Sequence, residues 1–257
     1  MRRTPKLGQH FLKHAWAAAK LAHAVSLRSD ESIVEIGPGK GALTRELLAL
    51  GPVIAIEKDP KLVAHLHEAF RGDLEAGRLQ LVQADVRDVD VRALPPYVLA
   101  ANIPYYITGE ILRTFLSAKN PPREAALLVQ KEVAERITSS KESILSLSVK
   151  AYGNPKVVGK VPARHFSPAP SVDSAILLVD DISREFFNDI SEDAFFALVH
   201  AGFASKRKML INNLSQKYAR GAVSAAFEEY GIPPKARAED VALGKWKLLA
   251  KQLLGHK

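Results

Sequence analysis

Cysteine is absent from all 257 residues. That excludes disulfides, thiolate metal sites and cysteine nucleophiles, and it fits a protein of the reducing cytoplasm. No apolar run approaches the roughly 20 residues needed to span a bilayer, so no membrane partner is expected. Internal repeats and low-complexity tracts are also missing. The histidines are scattered: His165, His200 and His256 lack ligand spacing, and no metal cluster or Ser/His/Asp triad is expected. Acidic residues are missing before Asp30, whereas Arg2, Arg3, Lys6, Lys13 and Lys20 precede it. An organellar presequence has that composition. Gly8-Gln9-His10-Phe11-Leu12 nevertheless reads as part of a mature site, and His14, Lys20 and His23 interrupt any signal-peptide core.

What is present is a hydrophobic fraction of 47%, enough for a sizeable core, with 25% charged residues, a net charge of +8 and a pI of about 9.6. Such a basic balance favours a polyanionic partner such as nucleic acid, or an anionic membrane surface. Residues 14–27 read as an amphipathic helix. Ile33–Ile36, Val53–Ile56, Leu79–Val82, Tyr97–Ala101 and Ala125–Val129 read as strands, separated by helices over Ala42–Leu50, Pro60–Phe70 and Ile107–Leu116. Strands alternating with helices in this way predict a doubly wound, mostly parallel α/β sheet. Leu145–Tyr152 and Ser174–Val179 read as two further strands with no helix between them, an antiparallel addition at the sheet edge. From Ser183 the pattern is helical, with Phe195, Phe196, Val199 and Phe203 at helical spacing, so the expected division is 1–182 and a small all-helical domain over 183–257.

Glu35-Ile36-Gly37-Pro38-Gly39-Lys40-Gly41-Ala42 follows a strand and opens a helix. Glycines there permit a tight turn and close approach of a ligand to the backbone. Gly37, Gly39 and Ala42 satisfy the loose dinucleotide pattern G-x-G-x-x-G/A, and Gly37, Gly39 and Gly41 equally satisfy the G-x-G-x-G turn of S-adenosylmethionine enzymes. Glu57, about 20 residues on, is placed to accept both ribose hydroxyls of either cofactor. Its neighbours Lys58 and Asp59 read as solvated or capping residues. Asp85, at the end of the third strand, helps to separate the two readings: a carboxylate there accepts from an adenine amine, which dinucleotide enzymes do not generally require.

Asn102-Ile103-Pro104-Tyr105-Tyr106 closes the fourth strand at the carboxyl edge of the sheet, where open α/β folds bind ligands. The Asn102 side-chain carbonyl and the Pro104 main-chain carbonyl are two acceptors for one exocyclic amine, and Tyr105 offers a stacking face. Phe166 precedes the proline-rich Ser167–Ser174 stretch and is expected as a second aromatic wall. Methyl transfer to a positioned adenine amine is mainly orientation work and requires no dedicated base.

With Val34–Thr44, Ala55–Asp59, Ala84–Asp88, Asn102–Thr108, Gln130–Ile137, Phe166–Ala175, Phe195–Leu214 and Arg237-Ala238-Glu239-Asp240, nearly the whole chain resembles the ribosomal RNA adenine N6-dimethyltransferase family, in particular its bacterial small-subunit branch. The resemblance implies a Rossmann-like methyltransferase domain with a helical C-terminal RNA-binding domain. It further implies transfer of two methyls from S-adenosylmethionine to each of two adjacent adenosines in the 3′-terminal hairpin loop of 16S rRNA, within the small subunit or its precursor. A role in subunit biogenesis, a monomer and a cytoplasmic location follow from the same resemblance. By position, His10, Leu12, Gly37, Gly39, Gly41, Glu57, Lys58, Asp85, Val86 and Asn102 would line the cofactor. Asn102, Pro104 and Tyr105, with Phe166 opposite, would hold the base. The family often has asparagine where His10 stands, and Thr138–Ser146 is shorter than its counterpart. Lys206-Arg207-Lys208 lies in a helical pattern near the expected domain junction and is assigned to phosphate contacts. From Ser183 onward 12 basic and 8 acidic residues carry half of the net charge, so both halves are expected to touch RNA.

Overall fold

The computed structural model describes residues 10–255. The Gly8-Gln9 part of the first motif, Arg2, Arg3, Lys6 and His256 lie outside the described residues. The chain runs β1 (Phe11–Leu12), α1 (Ala15–Ala22), β2 (Ser32–Ile36), α2 (Ala42–Leu48), β3 (Val53–Glu57), α3 (Pro60–Ala69), α4 (Arg71–Glu75), β4 (Leu79–Gln83) and β5 (Tyr97–Ala101). It continues through α5 (Thr108–Leu116), β6 (Ala125–Gln130), α6 (Lys131–Thr138), α7 (Ile144–Lys150), β7 (Asn154–Val161), β8 (Phe166–Ser167) and β9 (Ser174–Asp180). Four helices follow: α8 (Glu192–Gly202), α9 (Leu210–Leu214), α10 (Arg220–Glu229) and α11 (Leu243–Leu254). Among the described residues no helix is long and apolar enough to cross a membrane.

Seven strands form one sheet in the order β4-β3-β2-β5-β6-β9-β7. β4 to β6 are parallel, and β9 and β7 add to the edge in antiparallel fashion. The central strands β3 and β5 are buried along their full length, which is why they read as unbroken apolar runs rather than alternating ones. The chain steps outward from β2 to β4, then returns to the other side of β2 as β5. The order therefore reverses between β2 and β5, and a crevice opens at their carboxyl ends. Ile36 pairs with Ala101 across that point, so the glycine turn and Asn102 leave the sheet side by side.

The described chain falls into two compact units. The first runs to Ala134 and resumes over Asn154–Ile182; the second takes in Glu135–Gly153 as well as the chain from Ser183. The expected strand at Leu145–Tyr152 is helix α7, and the edge strand is β7 instead. Leu-Ser-Leu-Ser alternates like a strand, but its serines are occupied within a helix. Ser143 and Ser146 form a capping box, and Ser148 donates to the Ile144 carbonyl at 2.7 Å. In the second unit Tyr152, Phe186, Phe187, Phe195 and Phe196 pack ring against ring. Trp246 is fully buried there and stacks on Phe203.

Candidate methyl-transfer site

The turn after β2 holds three left-handed glycines, Gly37, Gly39 and Gly41, with φ of 67°, 58° and 81°. Their uses differ. A Cβ on Gly39 would sit 2.9 Å from the Phe11 ring, so this glycine lets β1 close over the turn. A Cβ on Gly41 would run into the Phe70 ring. Gly37 and Gly39 line the cleft, whereas Gly41 caps α2 and packs against Phe70 rather than facing a ligand. Gly41→Ala combines a left-handed backbone with an overpacked ring contact and is expected to cost about 2 kcal/mol, read as a lower urea midpoint.

The cleft has a volume of about 380 Å³, and all its walls come from the first unit. Glu57 lies beneath the turn, buried, with Oε2 accepting from the Gly39 N–H (3.1 Å) and Oε1 from those of Lys58 (2.8 Å) and Asp59 (2.9 Å). It pins the loops after β2 and β3 together and keeps acceptor capacity on Oε2 for a hydroxyl. Asp85 is not the free carboxylate that its position suggests. Lys58 Nζ donates to Oδ2 at 2.7 Å, the Arg87 guanidinium grips both oxygens, and the Arg87 N–H donates to Oδ1. Arg87 first, then Lys58, holds the Asp85 carboxyl well below the usual range. Lys58 thus reaches Asp85 across the cleft wall, and Val86 lies beside it.

Asn102 is oriented by its own amide. Nδ2 donates to the His10 carbonyl at 3.0 Å, which leaves Oδ1 free to accept. The Pro104 carbonyl accepts from the Ile107 N–H at 3.1 Å and retains one lone pair. Tyr105 is fixed at both ends: its hydroxyl bonds Ser174 Oγ at 2.7 Å, and its ring stacks on His10 with centroids 5.7 Å apart. His10 Nδ1 in turn bonds the Pro168 carbonyl at 2.7 Å. Burial pushes the Tyr105 phenol up, tempered by Ser174, so the hydroxyl stays protonated and serves to fix the ring.

Phe166 is not the second aromatic wall. Its side chain is 1% exposed and belongs to the hydrophobic core. Antiparallel pairing of β1 with β8 sets Phe166 opposite Leu12, both packed into the core, and Phe166 does not border the cleft. The rings that border the cleft are His10, Phe11, Tyr105 and Tyr106, the last 67% exposed. Leu12 borders it while remaining largely core. Lys206, Arg207 and Lys208 lie not within a helix but in the turn between α8 and α9, all exposed. A residue that drew no role from the sequence also lines the cleft: Glu35, fully buried, with neither Oε in a protein hydrogen bond. Its signal is an acid inside an apolar strand, directly before the glycine turn.

These donors and acceptors fit an adenosyl cofactor. A backbone cradle without side chains, a pinned carboxylate with spare acceptor capacity and apolar walls suit a ribose and a flat base. A doubly wound sheet that sets such a turn one strand away from a strand-end amide suits methyl transfer from S-adenosylmethionine, and this chain is an enzyme of that class. Residues 2–254 match the family described as ribosomal RNA adenine dimethylase. A ribosomal RNA small subunit methyltransferase A of Dehalococcoides mccartyi (strain CBDB1) is 39% identical over 259 residues, covering 97% of this chain and 88% of that protein. Among solved structures, the 23S rRNA methyltransferase ErmE is similar with a TM-score of 0.77 at 29% identity, over 95% of this chain and 99% of that one. A dimethyladenosine transferase from Plasmodium falciparum is similar with a TM-score of 0.78 at 25% identity, over 93% of this chain and 96% of that one. The chain belongs to the ribosomal RNA adenine dimethylase family.

Proposed function

We propose that this enzyme dimethylates the N6 amines of two adjacent adenosines in the 3′-terminal hairpin loop of 16S rRNA, within the small subunit or its precursor. The observation that carries the reading is the Asn102 amide on the cleft wall, held by its Nδ2 with Oδ1 left to accept. Asn102 Oδ1 and the Pro104 carbonyl accept from the target amine and orient its lone pair, while Tyr105, backed by His10, supports the base. A base in a hairpin loop reaches such a pocket only by leaving its stack. Gly37, Gly39, Glu57, Asp85 and Val86 hold the cofactor, with Lys58 acting through Asp85. When bound, S-adenosylmethionine supplies an electrophilic methyl group on a sulfonium. The first unit carries the chemistry. The second contributes phosphate contacts through Lys206, Arg207 and Lys208, none of which is in an ion pair among the described residues. The enzyme acts as a monomer in the cytoplasm and takes part in small-subunit biogenesis.

The small-subunit target is supported by the relative at 39% identity; the likeness to ErmE at 29% raises the large-subunit rRNA as the second reading. Labelled methyl transfer to small and large subunits that lack the modification, followed by primer extension on both rRNAs, separates them. Label is expected at two neighbouring adenosines near the 3′ end of the small-subunit rRNA. Label confined to the large subunit would overturn the proposal.

A further inference from the structure

Trp16 is 51% exposed on α1, the most exposed position that an indole takes in this chain, since Trp246 is fully buried. It does not stand alone. The His165 ring lies 5.4 Å from it, His14 meets His165 edge-on at 4.9 Å, and Lys20 Nζ sits 5.2 Å from the Trp16 ring. Lys20 is led there by the edge strand: a Cβ on Gly159 would fall 2.6 Å from Lys20 Cε, so the glycine makes room for the lysine stem. Lys13 and Arg164 are exposed on either side, and Lys13, Lys20 and Arg164 form no ion pair among the described residues. On the loop that carries Arg164 and His165, the Ala163 N–H donates to Asp173 Oδ1 at 2.9 Å. Burial, then His14 and Arg164, pushes the His165 pKa down, so its ring is neutral at neutral pH.

A short backbone ribbon links this patch to the cleft wall. β1 and β8 form a two-stranded ribbon, with Phe11 opposite Ser167 and Leu12 opposite Phe166. At one end His10 bonds Pro168 and stacks on Tyr105; at the other the Lys13 N–H donates to the His165 carbonyl at 2.8 Å. Along β1 the two ends, His10 and Lys13, are about three extended residues apart, roughly 10 Å. An exposed indole with imidazoles and unpaired cations around it has the composition of a single-stranded nucleic-acid platform, where bases stack on aromatic faces and cations follow the phosphates. A surface cation–π contact is weaker than base stacking, so an arriving base displaces Lys20 from the ring and leaves its ammonium for a phosphate.

We infer that Trp16, with His165, Lys20 and Lys13, is a second base-stacking site, for an unpaired RNA nucleotide close to the adenosine held at Asn102 and Tyr105. The inference rests on the RNA reading above. The test uses the full chain and a synthetic RNA hairpin bearing the 3′-terminal loop of small-subunit rRNA. Trp16 emission is expected to quench saturably on titration, against the constant background of buried Trp246. Trp16→Ala is expected to lose the quenching and to raise KM for unmodified small subunits about tenfold, the loss falling on KM rather than kcat. Trp16→Phe, which keeps a stacking face, is expected to stay within about twofold in KM. Binding of the hairpin without quenching, or an unaltered KM for Trp16→Ala, overturns the stacking site. Quenching without methyl transfer to either subunit sinks the proposed function and leaves the stacking site standing.

Discussion

Replacing Asn102 by alanine is expected to lower single-turnover methyl transfer by about 10³-fold while RNA affinity changes little. Two contacts disappear together. Oδ1 no longer accepts from the target amine, and Nδ2 no longer ties the strand end to the His10 carbonyl, a bond of 3.0 Å. The adenine amine is a poor nucleophile because its lone pair is delocalised into the ring. Nearly all of the enzyme's advantage therefore lies in holding that lone pair in line, and loss of one preorganised contact of this kind typically costs 10²–10³-fold. Affinity survives because the basic side chains and the stacking rings are elsewhere. Asn102→Asp tests the donor half of the argument: it keeps an acceptor but cannot donate to His10, and the two carbonyl-bearing groups repel. It is expected to be nearly as inactive as the alanine variant. Rapid-quench transfer of labelled methyl, with filter binding on the same preparations, reads both quantities. A normal transfer rate in Asn102→Ala would remove the amide from the mechanism.

What could be read in advance divides along the range of the interactions. β2, β3 and β5 were legible because a strand covered on both faces shows itself as a local apolar run. The cleft followed from the place where the order of those strands reverses. Glu57 and Asn102 stand at strand ends and needed only that frame. Phe166 was misread because its burial depends on β8 pairing with β1, some 155 residues away in the chain, and a lone phenylalanine before prolines does not reveal its partner. Asp85 lies on the cleft wall after β4, but its Lys58 and Arg87 contacts are side-chain geometry that a strand-end position does not specify. α7 was hidden by serines that alternate with leucines yet satisfy themselves within a helix. The Trp16 platform joins the start of the first helix to a turn near His165, and neither segment alone suggests the other.

Glu35 makes stability fall as pH rises, and Glu35→Gln is expected to abolish that dependence. Burial beside the glycine turn raises its pKa from 4.5 to about 8; Thr44 nearby tempers the shift, and the Glu57 carboxylate adds to it. The folded chain therefore keeps the Glu35 proton up to about pH 8, whereas the unfolded chain loses it near 4.5. Between those values the folded state binds more protons, so rising pH favours unfolding across the window, and the contribution is constant below and above it. Over the full window the loss is on the order of 5 kcal/mol. The glutamine variant fills the same space and never ionises. Its urea midpoint, compared with that of the parent at pH 5.5, 7 and 8.5 without cofactor, should gain steadily on the parent as pH rises. A difference between the two proteins that stays constant over that range would mean that Glu35 does not titrate there. A buried acid without a protein hydrogen bond is otherwise hard to justify in a core strand. Glu35 lines the cleft, and functional sites are where folded proteins carry such costs.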